Sequence, residues 1–137
     1  MAYVSEVMNT RVVSVPSHEQ VTKAAQLMSE HNIGSIPVVD NGQIKGMLTD
    51  RDIVLRCVAE GKDPTHVKVG DIMTTGTVYI TPHQSVDDAV RMMSYEQIRR
   101  LPVVEDGKLA GIISLADLAR MRDHTEVAQA ICEISKP

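Results

Sequence analysis

Apolar residues at Val21, Ala24, Ala25 and Met28 follow the three, four, seven spacing of one helix face, and Val86, Ala89, Val90 and Met93 repeat it. The spacing predicts two amphipathic helices. Ahead of each lies a short β-branched run, Val12 to Val15 and Val78 to Ile80, which predicts a first strand. After each helix an apolar strand through Pro37 to Val39, an Asn41-Gly42 turn and a strand from Gln43 to Leu48 predict a hairpin. Asp106-Gly107 joins the matching pair further on. Helical character resumes at Asp52 to Arg56 and at Asp117 to Arg120, so the predicted order is strand, helix, strand, strand, helix, twice over. Ser85 with Asp88 reads as a capping box at the second long helix. Gln20 holds that position in the first, leaving Ser17 as its candidate cap. Beyond Asp123, the spacing of Val127, Ile131 and Ile134 predicts a terminal helix covering a hydrophobic seam.

The two halves are copies. Ile36-Pro37-Val38-Val39-Asp40-Asn41-Gly42 recurs as Leu101-Pro102-Val103-Val104-Glu105-Asp106-Gly107 at an offset of 65. Held without a gap from Ser5 to Arg56, that offset gives 15 identities in 52 pairs, too many for coincidence at such matched positions. The organisation read from it is a first domain over 1–60, a linker over 61–68 that contains Pro64, a second domain over 69–123 and a helical tail over 124–137. No room is left for a separate catalytic domain.

Composition narrows the chemistry. Of 137 residues 43% are apolar, yet only 2% are aromatic, with no Phe or Trp, so the core is aliphatic and base-stacking platforms are excluded. Fourteen basic against 18 acidic residues give a net charge of −4, the wrong sign for a general nucleic-acid binder. No apolar stretch approaches the roughly 20 residues that span a bilayer, and the first residues lack a basic and apolar leader pattern, so no membrane association is expected and the reading is cytoplasmic. Cys57 and Cys132 stand apart from any Cys/His cluster, and Cys57 reads as a small buried residue. His18 and His83 lack a second ligand at i+3 or i+4 and read as solvated turn residues, so no metal is expected to be required. A nucleophile elbow, a P-loop, GxGxxG and HExxH are all missing, which argues against an enzyme.

The element that carries chemistry is Gly46-x-x-Thr49-x-x-Asp52, repeated as Gly111-x-x-Ser114-x-x-Asp117. A strand ending at a hydroxyl residue and turning into a helix offers backbone N–H groups to an anion, a phosphate cradle. An ionised carboxylate accepts two hydrogen bonds and so suits the paired hydroxyls of a ribose. The competing reading makes Thr49 and Ser114 plain N-caps, with the aspartates complementing the helix dipole. Retention in both copies favours the ligand reading. Arg99 and Arg100 stand where the first copy has Gly34 and Ser35, and their planar forks suit phosphate oxygens. Arg51 is a weaker third candidate.

With IPVVDNGQIKGMLTDRDIV in one copy and LPVVEDGKLAGIISLADLA in the other, nearly the whole chain resembles a tandem pair of CBS domains, the Bateman module. GMLTDRDIVLRCVAEGKDP is also similar to the small stand-alone bacterial CBS-pair proteins of the hypoxic-response type. The resemblance implies an α+β fold of two β-α-β-β-α repeats about a pseudo-two-fold axis. It implies an adenosyl ligand in clefts between the repeats: AMP, ADP or ATP, with S-adenosylmethionine or NAD ranking behind. Carried over by position, Thr49 and Asp52 share a cleft with Val78, beside Tyr79, and Ser114 and Asp117 share one with Val13. Val13, Ile33, Ile36, Ile98 and Leu101 suit purine walls, although the core requires the same residues, and Arg99 and Arg100 stand near the phosphate end, with a solvated rim as the other reading. The implied protein is a non-catalytic sensor and a homodimer acting on an unidentified protein target, its dimer face built from Ile53, Val54 and Cys57 with Leu115, Leu118 and Ala119. The alternative is a ligand-free CBS-pair protein that docks a partner.

Overall fold

Asn41 and Gly42 both take positive φ, 53° and 81°, and Asp106 and Gly107 take 54° and 79°, the type I′ geometry that folds a strand straight back on itself. A computed structural model of the chain describes residues 2–120 and 125–137. The turns close hairpins of β1 (Ser35–Asp40) with β2 (Gln43–Thr49) and of β3 (Arg100–Glu105) with β4 (Lys108–Ser114). Four helices complete the repeated pattern: α2 (Val21–His31), α3 (Asp50–Ile53), α5 (Val86–Glu96) and α6 (Leu115–Ala119). The two predicted long helices and both hairpins are therefore present. After α3 the chain continues through a wider π-helical turn, Val54–Val58, in which Ala59 N–H donates to Val54 C=O at 2.8 Å.

The predicted first strands contract to single paired residues. Val15 N–H donates to Pro37 C=O at 3.1 Å and Val39 N–H to Val15 C=O at 2.8 Å; Ile80, Pro102 and Val104 repeat this at 3.0 and 2.8 Å. Extending either ladder by one step needs an N–H from Pro37 or Pro102, which proline lacks. The Ser17 cap is also corrected. Gln20 occupies the cap position of α2 without a side-chain bond, and Ser17 instead donates its N–H and hydroxyl to Asp40 at 2.9 and 2.6 Å. Those bonds, the hydroxyl's foremost, hold the Asp40 carboxyl below the ordinary range despite some desolvation. The Ser85–Asp88 box forms as expected, with Asp88 N–H donating to Ser85 Oγ at 3.1 Å.

Contacts divide the chain into two units, residues 13–77 and residues 1–12 with 78–137. The opening segment of each repeat has been traded. α1 (Val4–Val7) belongs with the second hairpin and α4 (Val69–Ile72) with the first. The bonding is the same at both places: Val69 N–H donates to Glu19 C=O and Gly70 N–H to Ser17 C=O, while Val4 N–H donates to Gln84 C=O and Ser5 N–H to Pro82 C=O. Val69 fills the core of the first unit with Val21, Met28, Ile36, Leu48 and Cys57. Val4 fills that of the second with Ile80, Met93, Leu101, Ile113 and Leu118.

Helix α7 (Thr125–Ile134) realises the predicted tail helix. Ile134 packs on the second core and Gln97 Nε2 donates to Glu133 C=O at 2.9 Å, but Ile131 remains 46% exposed. The Val127 side chain and position 123, the expected end of the second domain, lie outside what is described. The expected dimer face needs correction, because Cys57 and Leu118 are fully buried in their own cores. What the π-helical turn exposes is Val54, Leu55 and Val58.

Candidate functional site

Strand β2 stays extended through Thr49, at φ −111° and ψ 160°, and the chain then turns into α3. This places Thr49 as the N-cap, with its Oγ1 accepting from Asp52 N–H at 3.0 Å and its own N–H donating back to Asp52 Oδ2 at 3.0 Å. Asp52 is 8% exposed, and among the described residues it is the one buried polar or charged side chain. Thr74, delivered by the traded segment after α4, donates its hydroxyl to Asp52 Oδ1 at 3.2 Å. Arg56 approaches the same oxygen at 3.9 Å through Nε, while its Nη1 donates to Ile72 C=O and Met73 C=O at 3.0 and 3.2 Å. The arginine thereby ties the end of α4 to the helix that bears the aspartate.

The second unit builds the same box. Ser114 Oγ accepts from Asp117 N–H at 3.1 Å, and Asp117 Oδ2 accepts from Ser114 N–H at 2.9 Å. Its traded segment pairs Asn9 with Ile112, as Thr74 pairs with Met47 in the first unit. Asp117 Oδ1 is held by Arg120 Nη2 at 2.5 Å. Burial alone would push the Asp117 carboxyl up, but the Arg120 bond and the Ser114 backbone N–H outweigh it and leave the group below its ordinary range.

The two glycines of the motif are there for clearance. A Cβ on Gly46 would lie 2.5 Å from Thr74 C=O, and one on Gly111 would lie 2.9 Å from Asn9 C=O. Only glycine lets the traded segment lie this close to the hairpin.

Other expected residues fall as follows. Arg100 stands opposite Ser114 in the β3–β4 ladder, and Arg99 C=O accepts from Leu115 N–H at 2.8 Å, so both arginines flank the second box. Val13 is half-buried on the first core and Val78 on the second, while Tyr79 is 52% exposed. Ile36 and Leu101 are fully buried and present no surface to a ligand, so they are withdrawn as purine walls; Ile33 and Ile98 are half-buried. The phosphate cradle is not open at α3. Asp50 N–H donates to Gly34 C=O, Arg51 N–H to Asp50 Oδ1 and Asp52 N–H to Thr49 Oγ1, which uses the first three donors of the helix.

Sequence reasoning missed Thr74, Arg56, Arg120 and Asp50. The repeat offset carried a signal for the first, since Thr74-Thr75 matches Asn9-Thr10 directly after the matched Met73 and Met8. His18 is exposed, and His83 Nε2 lies 3.1 Å from Glu105. Among the described residues no three His, Cys, Asp or Glu side chains gather where a metal would sit, and no helix is long and apolar enough to cross a membrane.

Residues 4–58 and 69–124 each match the CBS domain family. The chain is 46% identical over 119 residues to the CBS domain-containing protein YhcV of Bacillus subtilis, covering 87% of this chain and 84% of that one. It is 36% identical to Hypoxic response protein 1 of Mycobacterium tuberculosis over 138 residues, covering 100% and 96%. The crystal structure of Hypoxic Response Protein I with two coordinated zinc ions matches at a TM-score of 0.82 and 37% identity, over 89% of this chain and all of that one. The CBS domain pair of protein MJ0100, in complex with 5′-methylthioadenosine and S-adenosyl-L-methionine, matches at 0.76 and 27% identity, over 88% and 94%. Among the described residues His66 pairs with Asp63 and His83 with Glu105, two candidate ligands each, fewer than a tetrahedral zinc site takes from a protein.

Proposed function

The chain belongs to the CBS domain family, with two copies making a CBS-pair regulatory module, and from that premise we propose that it is a non-catalytic sensor of an adenosine compound. The observation that carries the reading is Asp52. A carboxylate removed from water needs hydrogen-bond donors, and the chain supplies the Thr49 N–H and the Thr74 hydroxyl, with Arg56 only at 3.9 Å. Thr74 can turn its hydroxyl away as vicinal ribose hydroxyls arrive to donate in its place. Ser114 and Asp117 form the same reciprocal box in the second unit, with Arg120 rather than a hydroxyl on the free carboxylate oxygen, and the MJ0100 pair binds two adenosyl compounds.

In this reading Asp52 and Asp117 hold ribose, Thr49 and Ser114 fix the carboxylates, Val13 and Val78 supply apolar surface to the base, and Arg99 and Arg100 meet phosphate. AMP, ADP and ATP are the leading ligands. The protein acts in the cytoplasm, as a homodimer, on a protein target. The pairing surface is re-assigned to the exposed Val54, Leu55 and Val58, which a second copy can cover. Those same three residues favour the second reading, a ligand-free module that docks a partner.

Mass spectrometry of small molecules released from the purified protein tests the first reading without a guess at the compound, and thermal shift against adenosine compounds follows it. Ligand at 100 times its dissociation constant adds about 2.7 kcal/mol. Asp52→Ala together with Asp117→Ala should abolish the shift. If no adenosine compound is released or shifts the melting temperature, the docking reading replaces it.

A further inference from the structure

The two boxes have matching backbones and opposite surroundings. Asp50 N–H donates to Gly34 C=O at 2.9 Å, and the matching Leu115 N–H donates to Arg99 C=O at 2.8 Å, so positions 34 and 50 correspond to 99 and 115 in space as well as in sequence. In the first box a carboxylate sits against a glycine: a Cβ on Gly34 would lie 3.1 Å from Asp50 Oδ2. In the second box an arginine stands where that glycine is, and a leucine where that carboxylate is.

The remaining positions follow suit. Ser35 is replaced by Arg100 and Leu55 by Arg120, which reaches Asp117. Around Asp52 the chain brings a second carboxylate, Asp50, and two arginines, Arg51 and Arg56, of which the Arg56 guanidinium is already engaged by the Ile72 and Met73 carbonyls. Beside Asp117, Arg120 bonds the carboxylate directly, and Arg99 and Arg100 flank the box by their backbone positions. The first box sets two arginines against two carboxylates, and the second sets three against one. The matching helix-start N–H groups, Asp50 and Asp52 in the first box and Leu115 and Asp117 in the second, are bonded within the protein in both, so side-chain charge is the larger difference in their response to phosphate.

We propose that the two boxes bind different adenosine compounds: the Ser114–Asp117 box a phosphorylated one, and the Thr49–Asp52 box an uncharged or cationic one. The assignment rests on the adenosine reading given above. Asp50 is then a specificity residue that turns phosphate away, and Gly34 is the space that admits it.

Calorimetry on the full chain with AMP and with 5′-methylthioadenosine as probes tests this. Wild type should take one AMP per chain, at a site that Arg99→Ala with Arg100→Ala weakens about tenfold while 5′-methylthioadenosine affinity stays within about twofold. Asp50→Asn keeps an oxygen to accept the Arg51 N–H but removes the charge. It should tighten AMP at the other box about tenfold and raise the AMP stoichiometry to two per chain. Two equal AMP sites in wild type, or an Asp50→Asn variant that still takes one AMP, overturn the assignment while leaving the adenosine reading in place. Failure of both probes to bind wild type, with no adenosine compound released from the protein, overturns the adenosine reading and this assignment with it.

Discussion

Gly46→Ala places a Cβ 2.5 Å from Thr74 C=O, well inside the usual carbon–oxygen contact, and the obstacle is backbone rather than a side chain that can swing aside. Relief requires the traded segment to lift off β2. The cost has two parts. Overpacking of a close-fitting site runs to about 1–3 kcal/mol. The lift also strains the reciprocal bonds between Met47 and Thr74, 2.9 and 2.8 Å long, each worth roughly 1 kcal/mol net. Together they give about 3–5 kcal/mol, which at roughly 3–5 °C per kcal/mol for a domain of this size lowers the melting temperature by about 10–25 °C. Gly111→Ala should cost less, since its Cβ meets Asn9 C=O at 2.9 Å and its other close neighbour is the flexible Met8 thioether. Lys45→Ala, on the exposed position next to Gly46, serves as the control and should fall within about 0.5 kcal/mol of wild type. Thermal and urea unfolding of the four proteins gives the ranking. A Gly46→Ala protein as stable as the Lys45→Ala control would refute the view that close approach of the traded segment is what demands glycine.

Thr74→Val removes the hydroxyl that Asp52 accepts and keeps the side-chain shape, so urea unfolding should read a loss of about 1–3 kcal/mol, the penalty of leaving a buried carboxylate short of a donor. Asp117 is held below its ordinary range, so the unfolded chain takes up that proton first as pH falls; its contribution is complete above the unfolded value and disappears as pH drops through the folded one. Melting temperatures between about pH 6 and pH 3 should therefore fall less steeply for Asp117→Asn than for wild type, and an unchanged slope would show that the Arg120 and Ser114 bonds do not persist in solution. Cut as its compact unit, a 13–77 fragment should protect backbone amides from exchange better than a 1–60 fragment, which follows the repeat but lacks Val69 and Ile72 in its core. Equal protection would contradict the traded arrangement.

The parts of the fold legible in sequence are those determined by local chemistry. The I′ turns need only Asn41-Gly42 and Asp106-Gly107, and the long helices need only their apolar stripes. At Thr49 and Ser114 the sequence offered the N-cap only as the competing reading, and the reciprocal bond from each aspartate was not read there. What escaped was decided at a distance. Periodicity sees Val12 to Val15 as a strand but does not see that the prolines at 37 and 102 withhold the next donor. Nor does a linear repeat reveal which body its opening segment joins, so Thr74 reaches Asp52 across 22 residues without any local signature. The dimer face failed differently. Cys57 is buried as its small apolar side chain suggested, so it cannot also serve the expected dimer face; of that face's first stripe Val54 is exposed, and the π-helical turn adds Leu55 and Val58.

The traded segments change what a box is. Asp52 comes from the first repeat and Thr74 from the second, so neither repeat alone can satisfy that carboxylate, although one compact unit can. The duplication therefore does more than supply two similar sites. It makes the first box dependent on the other copy through Thr74, whereas Asp117 is held by Ser114 and Arg120 of its own repeat. It also leaves the flanks of the two motifs free to diverge, since Gly34 with Asp50 and Arg99 with Leu115 preserve the same backbone hydrogen bond while reversing the charge around it. A scaffold held by backbone bonds and two close-approach glycines can thus keep its shape in both copies while the side chains set two different electrostatic environments.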